Sequence, residues 1–153
     1  MKFFTDQKYD SGVALSEYET YCRANWDLIP IELKIISEGM LPEDMLLGIE
    51  QVSLHDARIL TTKTDDSSVT LELITDHEGG LRKVWLEYRE SKMLKKPSSA
   101  VLDSKKDDSD NDIMCHEIGL ELNGRYTHAL LFASGEELQI QFSKLLLVFK
   151  DVG

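Results

Sequence analysis

The chain has 153 residues, 42% of them hydrophobic, which suits one domain with a real core and excludes a disordered chain. Its formal net charge of −11 comes from residues 1–50 (4 basic, 10 acidic) and 101–153 (5 basic, 10 acidic), while residues 51–100 balance at 8 and 8. No basic stripe stands out along the sequence, which argues against DNA or RNA and favours a basic protein partner.

The longest apolar runs are short, such as LLLVF at 145–149, against the roughly 20 residues that span a bilayer. No membrane association is expected. The start MKFFTDQKYD brings polar residues too early for a secretory signal, so a cytoplasmic protein is expected. Cys22 and Cys115 stand far apart in no metal or redox spacing and read as free, buried thiols.

Residues 1–50 read as helical. Val13, Leu15, Tyr18, Tyr21, Cys22, Trp26 and Ile29 recur close to helical spacing, with Ser11 or Ser16 as a cap. Pro30 ends this helix or opens the next, which runs through Ile31, Leu33, Ile35 and Ile36 to a stop at Gly39. Pro42, Glu43 and Asp44 suit the first turn of a short helix ending at Leu47.

Residues 51–89 read as the first three strands. One holds His55, Ala57 and Ile59 on one face. Val69, Leu71 and Leu73 alternate in the next. A His77-Glu78-Gly79-Gly80 hairpin leads to Val84, Leu86 and Tyr88, which alternate with Trp85, Glu87 and Arg89. Residues 90–112 are charged and serine-rich and read as a long mobile loop. The last three strands, within 113–153, are joined by Asn123-Gly124 and Ser134-Gly135 turns. The expected architecture is a single α+β domain, with amino-terminal helices packed on a roughly six-stranded, mostly antiparallel sheet.

No phosphate loop, dinucleotide fingerprint, metalloprotease helix, paired CxxC or nucleophile elbow is present, and no cofactor is predicted. His55, His116 and His128 each share a strand face with apolar residues, so all three imidazoles are expected on the interior side. Core histidines satisfying nearby polar groups is the leading reading. A transition-metal site or a general acid/base site on these three is the alternative. Asp56 and Glu117 fall on the opposite face and suit the same ion poorly. Asp108, Asp110 and Asp112 alternate as in a calcium loop, but Ile113 and Gly119 stand where that loop needs Gly and Glu. Trp85 and Tyr88 are candidate recognition aromatics, since such residues concentrate in binding hot spots.

The order of features resembles a bacterial family of small cytosolic proteins catalogued only as a domain of unknown function. The likeness rests on the MKFFT start, the Tyr18-x-x-Tyr21 helix, the LHDA segment at 54–57 and the carboxy-terminal hairpins with HEI, THALLF and GEELQIQF. It implies a bacterial cytosolic protein and no particular activity. A non-enzymatic protein-binding module, of accessory or immunity type, leads the functional expectations. A metal-dependent enzyme on the histidines and a small-ligand-binding domain are the alternatives.

Overall fold

A computed structural model describes residues 1–5, 13–104 and 108–152. The chain is an α+β protein with antiparallel sheets. Helix α1 spans Ala14–Ala24 and α2 Ile31–Ile35, with 3-10 turns at Trp26–Leu28 and Glu43–Leu46. Pro30 precedes α2 with φ −63°, the angle its ring imposes. Strands β1 (Arg58–Thr64), β2 (Ser68–His77) and β3 (Gly80–Arg89) follow. Then come β4 (Lys92–Lys95), the short helix α3 (Ser99–Leu102), β5 (Ile113–Leu120), β6 (Tyr126–Phe132), β7 (Glu137–Phe142) and β8 (Lys144–Asp151). The expected Ser11 cap lies outside the described residues.

Among the described residues the strand count is eight rather than about six, and the strands form two four-stranded sheets, β1-β2-β3-β8 and β4-β7-β6-β5. The β3–β8 pair continues into the β4–β7 pair through bends at Glu90 (φ 51°) and Ser143. Strands that change sheet at such corners let two sheets cover each other. At the far side, the Asp56 amide donates to the Ile113 carbonyl (2.9 Å) and the Ile113 amide to Ala57 (2.8 Å), tying the sheets together again. The two sheets and the amino-terminal helical segment share one core. Leu71, Leu86, Leu130, Phe132 and Phe142 are fully buried between them.

Turn chemistry sets the register. Glu78 and Gly79 both take positive φ (49° and 81°), the twist that matches paired strands, and His77 sits opposite Gly80. Asn123 and Gly124 do the same (65° and 72°) between β5 and β6.

The described residues of 90–112 are not a structureless loop. Of this stretch, β4 pairs with β7, and α3 buries Val101 and Leu102. The Thr62 hydroxyl donates to the Leu102 carbonyl (2.7 Å), and the Ser104 amide to Ile59 (2.9 Å). A few apolar anchors offset the ordering entropy of a charged segment once β1 and β7 are there to receive them. Asp108 caps its own turn by accepting from the Asp110 amide, and Asp112 accepts from Arg58 (2.7 Å). The alternating aspartates thus serve a cap and an ion pair.

Helix α1 covers the open edge of β5. The Ile118 amide donates to Tyr18 Oη (2.9 Å) and the Leu120 amide to Tyr21 Oη (2.7 Å). These are edge donors that would otherwise face solvent or another chain. Phe3 and Phe4 pack on Tyr18 with ring centroids 5.5 and 5.6 Å away.

Candidate functional site

Strands β5 and β6 place His116 and His128 on the inner face, as period-2 alternation predicts, with exposures of 2% and 0%. Tyr88 comes from β3 across the core. Its Oη lies 2.7 Å from His128 Nδ1, and His128 Nε2 lies 3.0 Å from His116 Nδ1. A phenol and two imidazoles thus form one buried hydrogen-bonded chain. The His116–His128 rings are edge-on, with centroids 5.1 Å apart.

The proton count gives this chain a direction. If the Tyr88 phenol donates to His128 Nδ1, the His128 proton sits on Nε2 and donates to His116 Nδ1. His116 then carries its proton on Nε2, a buried atom with no hydrogen-bond partner among the described residues. The reverse arrangement would strand both the phenol hydrogen and the His116 Nε2 lone pair. The first arrangement leaves one unmatched group instead of two and is the cheaper.

Burial keeps both rings neutral. It lowers the His116 imidazole to about 4, with the His55 charge acting in the same sense and the Ile36 backbone opposing weakly, short of hydrogen-bond geometry at Nε2. His128 is held well below the ordinary histidine value, first by burial and then by His116. Burial also raises the Tyr88 phenol, which keeps it protonated and able to donate.

His116 forms part of the wall of a pocket of about 400 Å³ beside the amino-terminal strap. Phe4, Leu15, Met40 and Met114 supply apolar walls, and Glu38, Ser53 and His55 supply polar groups. Cys115 also lines it, with burial pushing its thiol up to about 12. Cys22 is likewise free, and burial raises its thiol to about 11, so neither is an activated nucleophile.

His55 departs from the sequence expectation. It lies in a turn before β1, not on an interior strand face, and its side chain is 61% exposed. The positive φ of Asp56 (63°) breaks the strand there. His55 Nδ1 donates to the Met114 carbonyl (3.0 Å), which brings the ring to the pocket mouth rather than into the core. The three histidines therefore do not converge on one ion. His128 has both nitrogens engaged, His116 has one, and His55 faces outward. Among the described residues no group of three or more His, Cys, Asp or Glu could hold a metal.

Tyr88 is fully buried, so it does not belong to a recognition surface. Alternation turns it to the core, where its ring meets Phe142 edge-on at 5.0 Å. Trp85 points the other way, half-buried on the outer face of the first sheet and opposite Val148 of β8. Trp26 is half-buried beneath the Lys34 ammonium, 4.4 Å from its ring centroid.

Glu117 lies on the face opposite the histidines, as expected, at 5% exposure on the outer side of the second sheet, and its role there is one the sequence did not suggest. Its carboxylate accepts from the Lys2, Phe3 and Phe4 amides, the last two at 2.9 and 3.1 Å. This clamp holds Phe4 at the pocket wall. Glu117 stands between His116 and Ile118, and its partners lie 113 to 115 residues away in the chain, so no local pattern marks it.

Comparisons with known proteins give no match to any family model, to any curated protein or to any solved structure.

Proposed function

We propose that the chain is a small-ligand-binding domain, with its site in the pocket over His116. The observation that carries this reading is the buried Nε2 of His116, unpartnered at the end of the Tyr88–His128 chain, in a residue lining a partly enclosed cavity. An unsatisfied buried donor is costly, and such groups concentrate where a ligand completes them. The volume of about 400 Å³ suits a small molecule. Phe4, Leu15, Met40 and Met114 would bury its apolar part, while Ser53, Glu38 and His55 at the mouth would orient it.

The metal-enzyme alternative draws less support, because the His116–His128 contact uses nitrogens that a metal would need. The likeness to the bacterial family brings no activity and adds no residue to this site. A cytoplasmic location remains part of the proposal, supported by the fact that no helix among the described residues is long and apolar enough to cross a membrane.

The test is a fragment screen read by methyl NMR of Met40 and Met114, repeated on Met40→Trp, which fills the cavity. Fragments that shift both methyls in the wild type and leave the one remaining reporter, Met114, unmoved in the filled variant support the site. A screen in which no fragment moves either methyl sinks it.

A further inference from the structure

The sheet register gathers charges that the sequence scatters. On the outer face of β1-β2-β3-β8, alternation places Arg58, Lys63, Lys83, Arg89, Lys144 and Lys150. Glu72, Asp76 and Glu87 share that face. These strands set six basic residues against three acidic ones, with Asp112 brought to Arg58 at 2.7 Å as a fourth, in a chain that has 17 basic and 28 acidic overall. Glu72 pairs with Lys83 at 3.4 Å and Glu87 with Arg89 at 3.0 Å. Among the described residues, Lys63, Lys144 and Lys150 are exposed and have no ion-pair partner.

The β8 side of this face carries an apolar strip, with Glu72 opposite Trp85 on its inner flank. Trp85 lies opposite Val148, which is 61% exposed, and Leu146 sits opposite Glu87 one register step away. Burial alternates strictly along β2 and β3, so this face is turned away from the core. A half-buried tryptophan beside an exposed valine, with Lys83 and Lys150 in the adjacent outward pair, has the anatomy of an interface anchor with a polar rim.

We infer that this face docks an acidic protein segment, with an aliphatic or aromatic side chain set on Trp85 and Val148 and carboxylates reaching Lys144, Lys150 and Lys63. Charge complementarity selects the occupant. The acidic remainder of the chain repels polyanions at long range, which disfavours nucleic acid. It equally opposes close approach of a second copy. A short segment that carries its carboxylates locally meets only the basic face.

The test uses a fluorescein-labelled peptide of alternating glutamate and leucine, titrated into the full chain. Binding is expected to shift the Trp85 indole N–H signal and the Val148 methyls. Affinity should weaken by roughly tenfold between low and physiological salt. The double reversal Lys144→Glu, Lys150→Glu, at exposed positions, should abolish binding. Val148→Glu should do the same, and both variants should keep the wild-type melting temperature. Failure of the peptide to bind overturns the inference, as does binding unaffected by the reversal. So does tighter binding of oligodeoxythymidylate to this face, or a concentration-dependent dimer lost in Val148→Glu.

Discussion

Tyr88 Oη and His128 Nδ1, 40 residues apart in sequence, meet at 2.7 Å in the centre of the molecule. Tyr88 belongs to the first sheet and His128 to the second, so this polar contact crosses an otherwise apolar interface. Apolar contacts tolerate small slides between sheets. A buried hydrogen bond of fixed geometry does not, because misalignment leaves both partners unsatisfied.

Tyr88→Phe keeps the ring and removes only the hydroxyl, leaving His128 Nδ1 buried and unpaired. A loss of about 1–3 kcal/mol is expected, read as a lower urea midpoint with an unchanged slope. The same variant frees the direction of the imidazole chain, so ¹⁵N NMR should report a change of His116 tautomer. An unaltered midpoint would show that the hydroxyl is not needed.

Stability should fall as pH drops from about 6.5 toward 4. The folded-state value of His116 is lowered to about 4, and His128 is lowered as well. In that window the unfolded chain binds protons that the folded chain refuses, so stability is full above the unfolded value and is lost on acidification. The shift of His116 alone is worth on the order of 3 kcal/mol. Glu137 and Asp151, whose carboxyls are lowered by Lys95 and Arg82 respectively, add a further loss only at lower pH. Thermal melts across this range check the expectation, and the step between 6.5 and 4 should shrink in a His116→Gln, His128→Gln variant.

Glu117→Gln should loosen the amino-terminal strap. The amide has one acceptor oxygen where the carboxylate has two, and three backbone amides depend on it. Hydrogen exchange at Lys2, Phe3 and Phe4 should accelerate by roughly tenfold or more, equivalent to about 1.4 kcal/mol or more of local stability. Protection in the central strands should persist. Unchanged exchange at these three amides would mean the clamp is not what holds the strap.

Gly119→Ala should destabilise by about 1–3 kcal/mol, because a Cβ at this position collides with Thr127 Oγ1 across the β5–β6 pair. Thr127 is β-branched and has little rotamer freedom with which to yield. Adding Thr127→Ala should recover part of the loss, a coupling that a double-mutant cycle in urea measures. Strict additivity of the two changes would show that the collision is not the cause.

The sequence by itself determined the local chemistry of the chain. Glu78-Gly79 and Asn123-Gly124 tolerate positive φ, Pro30 fixes the entry to α2, and the alternation in β2, β3 and β7 assigns inner and outer faces. These features follow from preferences within a few residues, so they are legible one segment at a time. The interior placement of His116 and His128 came from that same alternation. The tertiary structure alone decided that the strands split into two sheets, that the segment around Ser99–Leu102 is anchored by Val101 and Leu102, and that His55 stands at a pocket mouth. It also decided that Tyr88 is buried against His128, that Glu117 clamps the amino terminus, and that Trp85 shares an outer face with Lys63, Lys83, Lys144 and Lys150. Each of these depends on contacts between segments distant in sequence. Such contacts are set by the sum of core packing and loop-closure entropy, and they leave no periodic mark on either partner.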